Sequence, residues 1–191
     1  ILKSKLVKKL VITSPDNQLL KILKEKYKNK IITINRPKKF GFLNTELETT
    51  IKHTLKKIRK KNIKFDYVMQ ISFRTPFITP QVIDDGINTL QLFNSDKVIC
   101  VTQENHQYYK HDGSGLKRLV RSSNLKLERD TIYKQVMGFN IIKKNSLFIR
   151  DEDLKIGHIV LSNKQSVEVN TEEDLKISNK IYFKEWEKYF L

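Results

Sequence analysis

The residues of this 191-residue chain best suited to hold a charged ligand lie near its C-terminus, in Ser166-Val167-Glu168-Val169-Asn170-Thr171-Glu172-Glu173-Asp174-Leu175. An alternating strand over Val167–Val169 would put Glu168 and Asn170 on one face, because side chains two apart on a strand point the same way. Two oxygen ligands at a strand end suit a hard cation such as Mg²⁺. The same residues also read as a surface strand running into an ordinary helix, with Thr171 as N-cap and three acids in the first turn. Other strand ends offer further groups. Thr13-Ser14-Pro15-Asp16-Asn17 combines hydroxyls with a helix N-terminus, which makes either an anion site or a plain cap. Arg36, directed by Pro37, suits a phosphate contact and equally a surface position. The strand ending at Ile71 presents Gln70, Ser72 and Arg74 on one alternating face, and the Gln70 amide can meet a nucleobase edge or a sugar. Arg129 leads toward a strand containing Gly138, where backbone can approach a ligand closely.

Other candidates have plainer readings. Asp84-Asp85-Gly86 falls inside a helix and reads as a solvated acidic face. His106 and His111 are five apart with no cysteine partner, a spacing that does not build a zinc site. His158 opens an apolar strand and reads as structural.

The elements that must position these groups follow from periodicity. Strands are expected at Leu10–Thr13, Ile31–Ile34, Tyr67–Ile71, Lys97–Thr102, Val136–Ile142, His158–Leu161 and Val167–Val169. Helices are expected at Asp16–Tyr27, Thr45–Lys61, Pro80–Phe93 and Thr171–Tyr189. In the second helix Leu47, Ile51, Leu55 and Ile58 line one face, and Lys52, Lys56, Lys57, Arg59 and Lys60 fill the others. Strands alternating with helices of this length imply right-handed crossovers and a mostly parallel sheet with helices on both sides. Ligands then bind beyond the carboxyl ends of the strands. The polar stretch Gln103–Thr131, with its His111-Asp112-Gly113-Ser114-Gly115 turn, interrupts the alternation and reads as an excursion, a possible dimerisation arm.

Composition narrows the classes. With 39% hydrophobic and 30% charged residues, the chain is a globular protein of one sizeable domain. It has no apolar run long enough to span a bilayer and no signal-like apolar core, and its single cysteine, Cys100, lies in an apolar strand. A cytoplasmic protein is expected. The net charge of +16 invites nucleic acid, yet arginine supplies only seven of the 37 basic residues and alanine is absent. That pattern fits an AT-rich coding sequence, and specific nucleic-acid binding is not expected.

Taken in order, these segments resemble the cytidylyltransferases that activate acidic sugars, the CMP-sialic-acid synthetases and their relatives. Val11-Ile12-Thr13-Ser14-Pro15-Asp16 looks like the family's V-[ST]-T-D-D turn, and Arg36-Pro37 like its Arg-Pro. Met69-Gln70, followed after four residues by Thr75-Pro76-Phe77, resembles L-Q-P-T-S-P-L. Arg129 to Ile141 resembles an arginine leading to a G-x-x-Y strand, and Glu168-Val169-Asn170-Thr171-Glu172-Glu173-Asp174-Leu175 resembles D-[IV]-D-T-x-x-D-L.

The resemblance implies a three-layer Rossmann-like nucleotide-diphospho-sugar transferase fold over 1–191, with 103–131 as a dimerisation arm. It implies transfer of CMP from CTP to a nonulosonic or related keto-sugar acid for cell-surface polysaccharide, with pyrophosphate released. Arg36, Thr13 and Asp16 would contact the nucleotide, Gln70 would sit at its junction with the sugar, and Arg129 would pair with the sugar carboxylate. Glu168 and Asn170, in place of two aspartates, would hold Mg²⁺. The family's glycine-rich A-R-G-G-S-K loop has no counterpart, and the chain starts at Ile1, so an N-terminally truncated enzyme is expected. The alternative is an inactive sugar-nucleotide-binding or dimerising module of the same fold.

Overall fold

A computed structural model describes residues 1–41, 47–104, 106–119 and 131–190. Two β-branched runs form β1 (Leu10–Ser14) and β2 (Ile31–Asn35). They pair in parallel, from Leu10 opposite Ile31 to Ser14 opposite Asn35. A four-stranded sheet has the order β3 (Tyr67–Ile71), β7 (Ile132–Lys143), β4 (Lys97–Glu104) and β8 (Ile156–Val160). The helices are α1 (Asn17–Tyr27), α2 (Leu47–Arg59), α3 (Pro80–Leu92) and α4 (Glu172–Phe190). The architecture is the expected mixed α/β one, partly parallel. Among the described residues no helix is long and apolar enough to cross a membrane.

One expected segment gains detail and another changes. Within 103–131, β5 (Tyr109–His111) and β6 (Leu116–Arg118) pair as an antiparallel hairpin. Its turn uses Gly113 at φ 96°, a backbone shape that glycine adopts without a Cβ penalty. Val167–Val169 is not a strand. A turn held by Ser162 and Gln165 precedes it, and among the described residues its one backbone tie to other elements is the Val169 N–H on the Arg74 carbonyl at 2.8 Å. One such bond does not make a ladder.

The chain divides into two compact units: Ile1–Met69, Thr79–Val98 and Ile141–Gly157 in the first, Gln70–Ile78, Ile99–Asn140 and His158–Leu191 in the second. In the first, the β1–β2 pair separates two helices. Thr13 lies opposite Ile34, so Thr13, Ile34 and Arg36 share one face, while Ser14 and Asn35 share the other. On the Asn35 face its amide donates to Asn17 at the start of α1. On the Arg36 face the guanidinium reaches Thr50 of α2. Asp84 of α3 is buried, against the expectation of a solvated acidic face. Its carboxylate accepts the Ser4 hydroxyl and the N–H groups of Lys5 and Leu6, at 3.0 and 3.2 Å, and so fastens the first residues to α3.

In the second unit Cys100, Val101, Val136, Phe139 and Leu161 are buried. Burial pushes the Cys100 thiol up to about 11, an inert thiol as its apolar run suggests. Gly138 packs against it. A Cβ at Gly138 would lie 2.9 Å from Cys100 Sγ and 3.3 Å from Ile78 Cδ1. The glycine therefore admits a neighbouring side chain and not a ligand. Gly138→Ala should cost about 1–3 kcal/mol in chemical denaturation, and adding Cys100→Ala should recover part of that loss. A fully additive double mutant would show that the two sites do not touch.

Candidate functional site

At the carboxyl end of β1 and β2 several polar groups converge. The Arg36 N–H donates to the Ser14 carbonyl at 3.1 Å, which draws the two strand ends together. Its Nη1 lies 3.5 Å from Thr50 Oγ1, and that hydroxyl donates in turn to the Phe40 carbonyl at 3.4 Å. Phe40 meets the His53 ring edge to face, with centroids 5.5 Å apart. Thr50 and His53 are three apart on α2 and so lie on the same side of it. Three atoms on this side of the pair and of α2, Thr13 Oγ1, Arg36 Nε and His53 Nδ1, are shut from solvent and have no hydrogen-bond partner among the described residues. Each such group costs about 1–3 kcal/mol when left unsatisfied. Arg36 also forms no ion pair among the described residues.

Asp16 has a different task. Its carboxylate accepts the N–H groups of Gln18 and Leu19 at 2.8 and 3.0 Å, capping α1.

A second set of contacts lies wholly in the second unit, around the loop after β3. The Arg74 N–H donates to Ser72 Oγ at 3.1 Å, and Thr75 Oγ1 lies 3.4 Å from the Met137 carbonyl. Arg74 Nη1 donates to Asn170 Oδ1 at 3.3 Å. Glu168 Oε1 accepts the Met137 N–H at 2.9 Å. Thr171 caps α4: its hydroxyl accepts the Asp174 N–H, and Asp174 accepts those of Asn170 and Thr171, both at 2.9 Å. These bonds hold the Asp174 carboxyl below the usual carboxylate range.

Glu168 and Asn170 as placed do not fit a resident Mg²⁺. One Glu168 oxygen is taken by backbone, and the Asn170 oxygen already faces a guanidinium. A divalent ion about 4 Å from that cation would be repelled by about 2 kcal/mol even at the dielectric of water. Among the described residues no group of three His, Cys, Asp or Glu side chains could hold a metal.

The structure thus places Thr13 and Arg36 on one face of the strand ends, gives Asp16 a capping role, and ties Glu168 to Met137 and Asn170 to Arg74. Gln70 is half-buried on β3, and Arg129 lies outside the described residues. The His158 and Tyr133 rings lie tilted to each other, with centroids 4.9 Å apart. Thr50 and His53 were missed. Their i, i+3 spacing opposite an arginine-bearing strand end was the available signal.

This arrangement of strands and helices is the nucleotide-diphospho-sugar transferase fold. The chain is similar to a 4-diphosphocytidyl-2C-methyl-D-erythritol synthase from Anaerococcus prevotii, at 16% identity and TM-score 0.64, over 94% of this chain and 81% of that one. A second synthase of the same name matches at 10% identity and TM-score 0.64, over 94% of this chain and 85% of the other. A CMP:2-keto-3-deoxy-manno-octonic acid synthetase complexed with CTP matches at 10% identity and TM-score 0.63, over 96% and 84%. No protein-family model and no curated protein matches the chain.

Proposed function

We propose that this protein transfers CMP from CTP to a hydroxyl of an acidic sugar of the keto-acid class, releasing pyrophosphate. The observation that carries this reading is the fold, shared over 94–96% of the chain with enzymes named for making cytidylyl compounds, one of them seen with CTP. The sugar oxygen attacks the α-phosphorus in line as the bond to the bridging oxygen breaks. Pyrophosphate leaves with that electron pair, and the hydroxyl proton passes to solvent. Positioning and cationic stabilisation of the phosphates would supply most of the rate. Arg36 and Thr13 would serve the nucleotide, Gln70 its junction with the sugar, and Arg129 the sugar carboxylate. Charge supports the placement of the nucleotide: the first unit holds 24 Lys and Arg against 11 Asp and Glu, the second 13 against 10. The reading assigns no step to a protein-held Mg²⁺. The exposed Leu116 and Tyr109 on the β5–β6 hairpin would join two copies, which sedimentation would show as a dimer and a monomer would refute.

A phosphorylated polyol is the second acceptor class, because two of the similar enzymes are named for a diphosphocytidyl product. A module that binds without turnover is the third possibility, favoured by the protein hydrogen bonds that already occupy Glu168 and Asn170. Pyrophosphate release from CTP with keto-sugar acids and phosphorylated polyols separates the three. Release with the acids supports the proposal, release only with phosphorylated polyols selects the second class, and CTP binding with no release selects the module.

A further inference from the structure

We propose that Arg36, Thr13 and His53 form a pocket for one tetrahedral oxyanion, a phosphate group carried by a phosphoester, with His53 as a ligand that the sequence motifs did not mark. Three independent pieces of geometry converge on this. The β1–β2 register puts Thr13 and Arg36 on one face of the pair, two residues beyond facing positions. The Nη1 contact to Thr50 sets the guanidinium against α2, and His53 lies one turn along the same side of that helix. Each of the three side chains carries a solvent-excluded polar atom with no partner among the described residues, and no described carboxylate pairs with the arginine. The Phe40 ring holds the imidazole from the side.

A guanidinium N–H, a hydroxyl and a protonated ring nitrogen are all donors, and a phosphate offers acceptor oxygens to each. The carboxylate nearest in sequence to Thr13, Asp16, is turned to the α1 amides and does not contest the anion. Lysines crowd the exposed surface of α2, yet none of the three orphaned atoms is theirs, so the pocket differs in kind from the general positive charge.

The pocket rests on the nucleotidyl-transfer reading only for the source of its phosphate. The direct test is an NMR titration of the full chain, labelled at histidine, with inorganic phosphate. The ring signals of His53 should shift and saturate while those of His106, His111 and His158 stay in place. Arg36→Gln should weaken phosphate binding at least tenfold and His53→Gln severalfold, with Lys57→Gln, on the exposed face of α2, unchanged. Equal shifts at all four histidines, or phosphate binding unaltered by both Arg36→Gln and His53→Gln, would overturn the pocket. Competition by CTP would identify the phosphate as the nucleotide's, and competition by ribose 5-phosphate as an acceptor's. Saturation by phosphate with no turnover of CTP would leave the pocket standing and remove the transferase reading. Turnover of CTP together with phosphate binding that neither substitution alters would remove the pocket and leave the transferase reading standing.

Discussion

Replacing Asp84 with alanine is expected to lower the free energy of unfolding by about 3 kcal/mol at pH 7, a large loss for one side chain. The carboxylate sits in α3 at 9% exposure and accepts three hydrogen bonds from Ser4, Lys5 and Leu6. Its removal frees the first residues and leaves their donors without acceptors. The Ser4 hydroxyl and the Lys5 N–H together hold the Asp84 carboxyl below its ordinary value of 3.8, against a burial effect that raises it. A carboxyl lowered on folding stabilises the protein above its unfolded value and loses that contribution as pH falls through its folded value. The stability gap between the wild type and Asp84→Asn should therefore be full near pH 7 and shrink below about pH 4. Denaturant titrations at pH 7 and pH 3 measure it. An equal gap at both pH values would mean that the charge of Asp84 contributes nothing to holding the segment.

Arg36→Gln should lower kcat/KM for CTP by about 10-fold to 100-fold. A hydrogen bond from a charged donor to a phosphate is worth about 1.5–3 kcal/mol net, and about 1.4 kcal/mol is a decade in rate. Arg36→Lys should recover part of the loss, since lysine keeps the charge and gives up the planar fork that reaches Thr50 and a ligand together. Asp16→Ala provides the contrast. It removes the α1 cap and should cost about 1 kcal/mol of stability while leaving CTP use near the wild-type level. Damage to CTP use by Asp16→Ala equal to that by Arg36→Gln would make Asp16 a ligand of the nucleotide and not only the cap of α1.

What could be read ahead of the structure depended on how local each signal was. Leu10–Ser14, Ile31–Asn35, Tyr67–Ile71 and the four helices follow from apolar period and from caps such as Thr79, whose hydroxyl accepts the Val82 N–H. The Arg36-Pro37 turn and Thr13 announced a polar strand end, and the parallel register then placed them on one face. Val167–Val169 misled because alternation over three residues specifies a strand only when a neighbour supplies a ladder. Asp84 looked like part of a solvated pair because its partners are 78 to 80 residues away in sequence. Gly138 was linked to a ligand, and only packing shows that it makes room for Cys100. His53 depends on the fold for its meaning, since it acquires a role only when α2 is laid against the arginine side of β2.

The most direct test of nucleotidyl transfer is ³¹P NMR of CTP incubated with the full chain and a panel of keto-sugar acids. Pyrophosphate and a single new phosphodiester resonance should grow together, only when an acceptor acid is present and with CTP in preference to ATP, GTP or UTP. Unchanged CTP with every acid, or release of pyrophosphate without a phosphodiester product, would contradict nucleotidyl transfer.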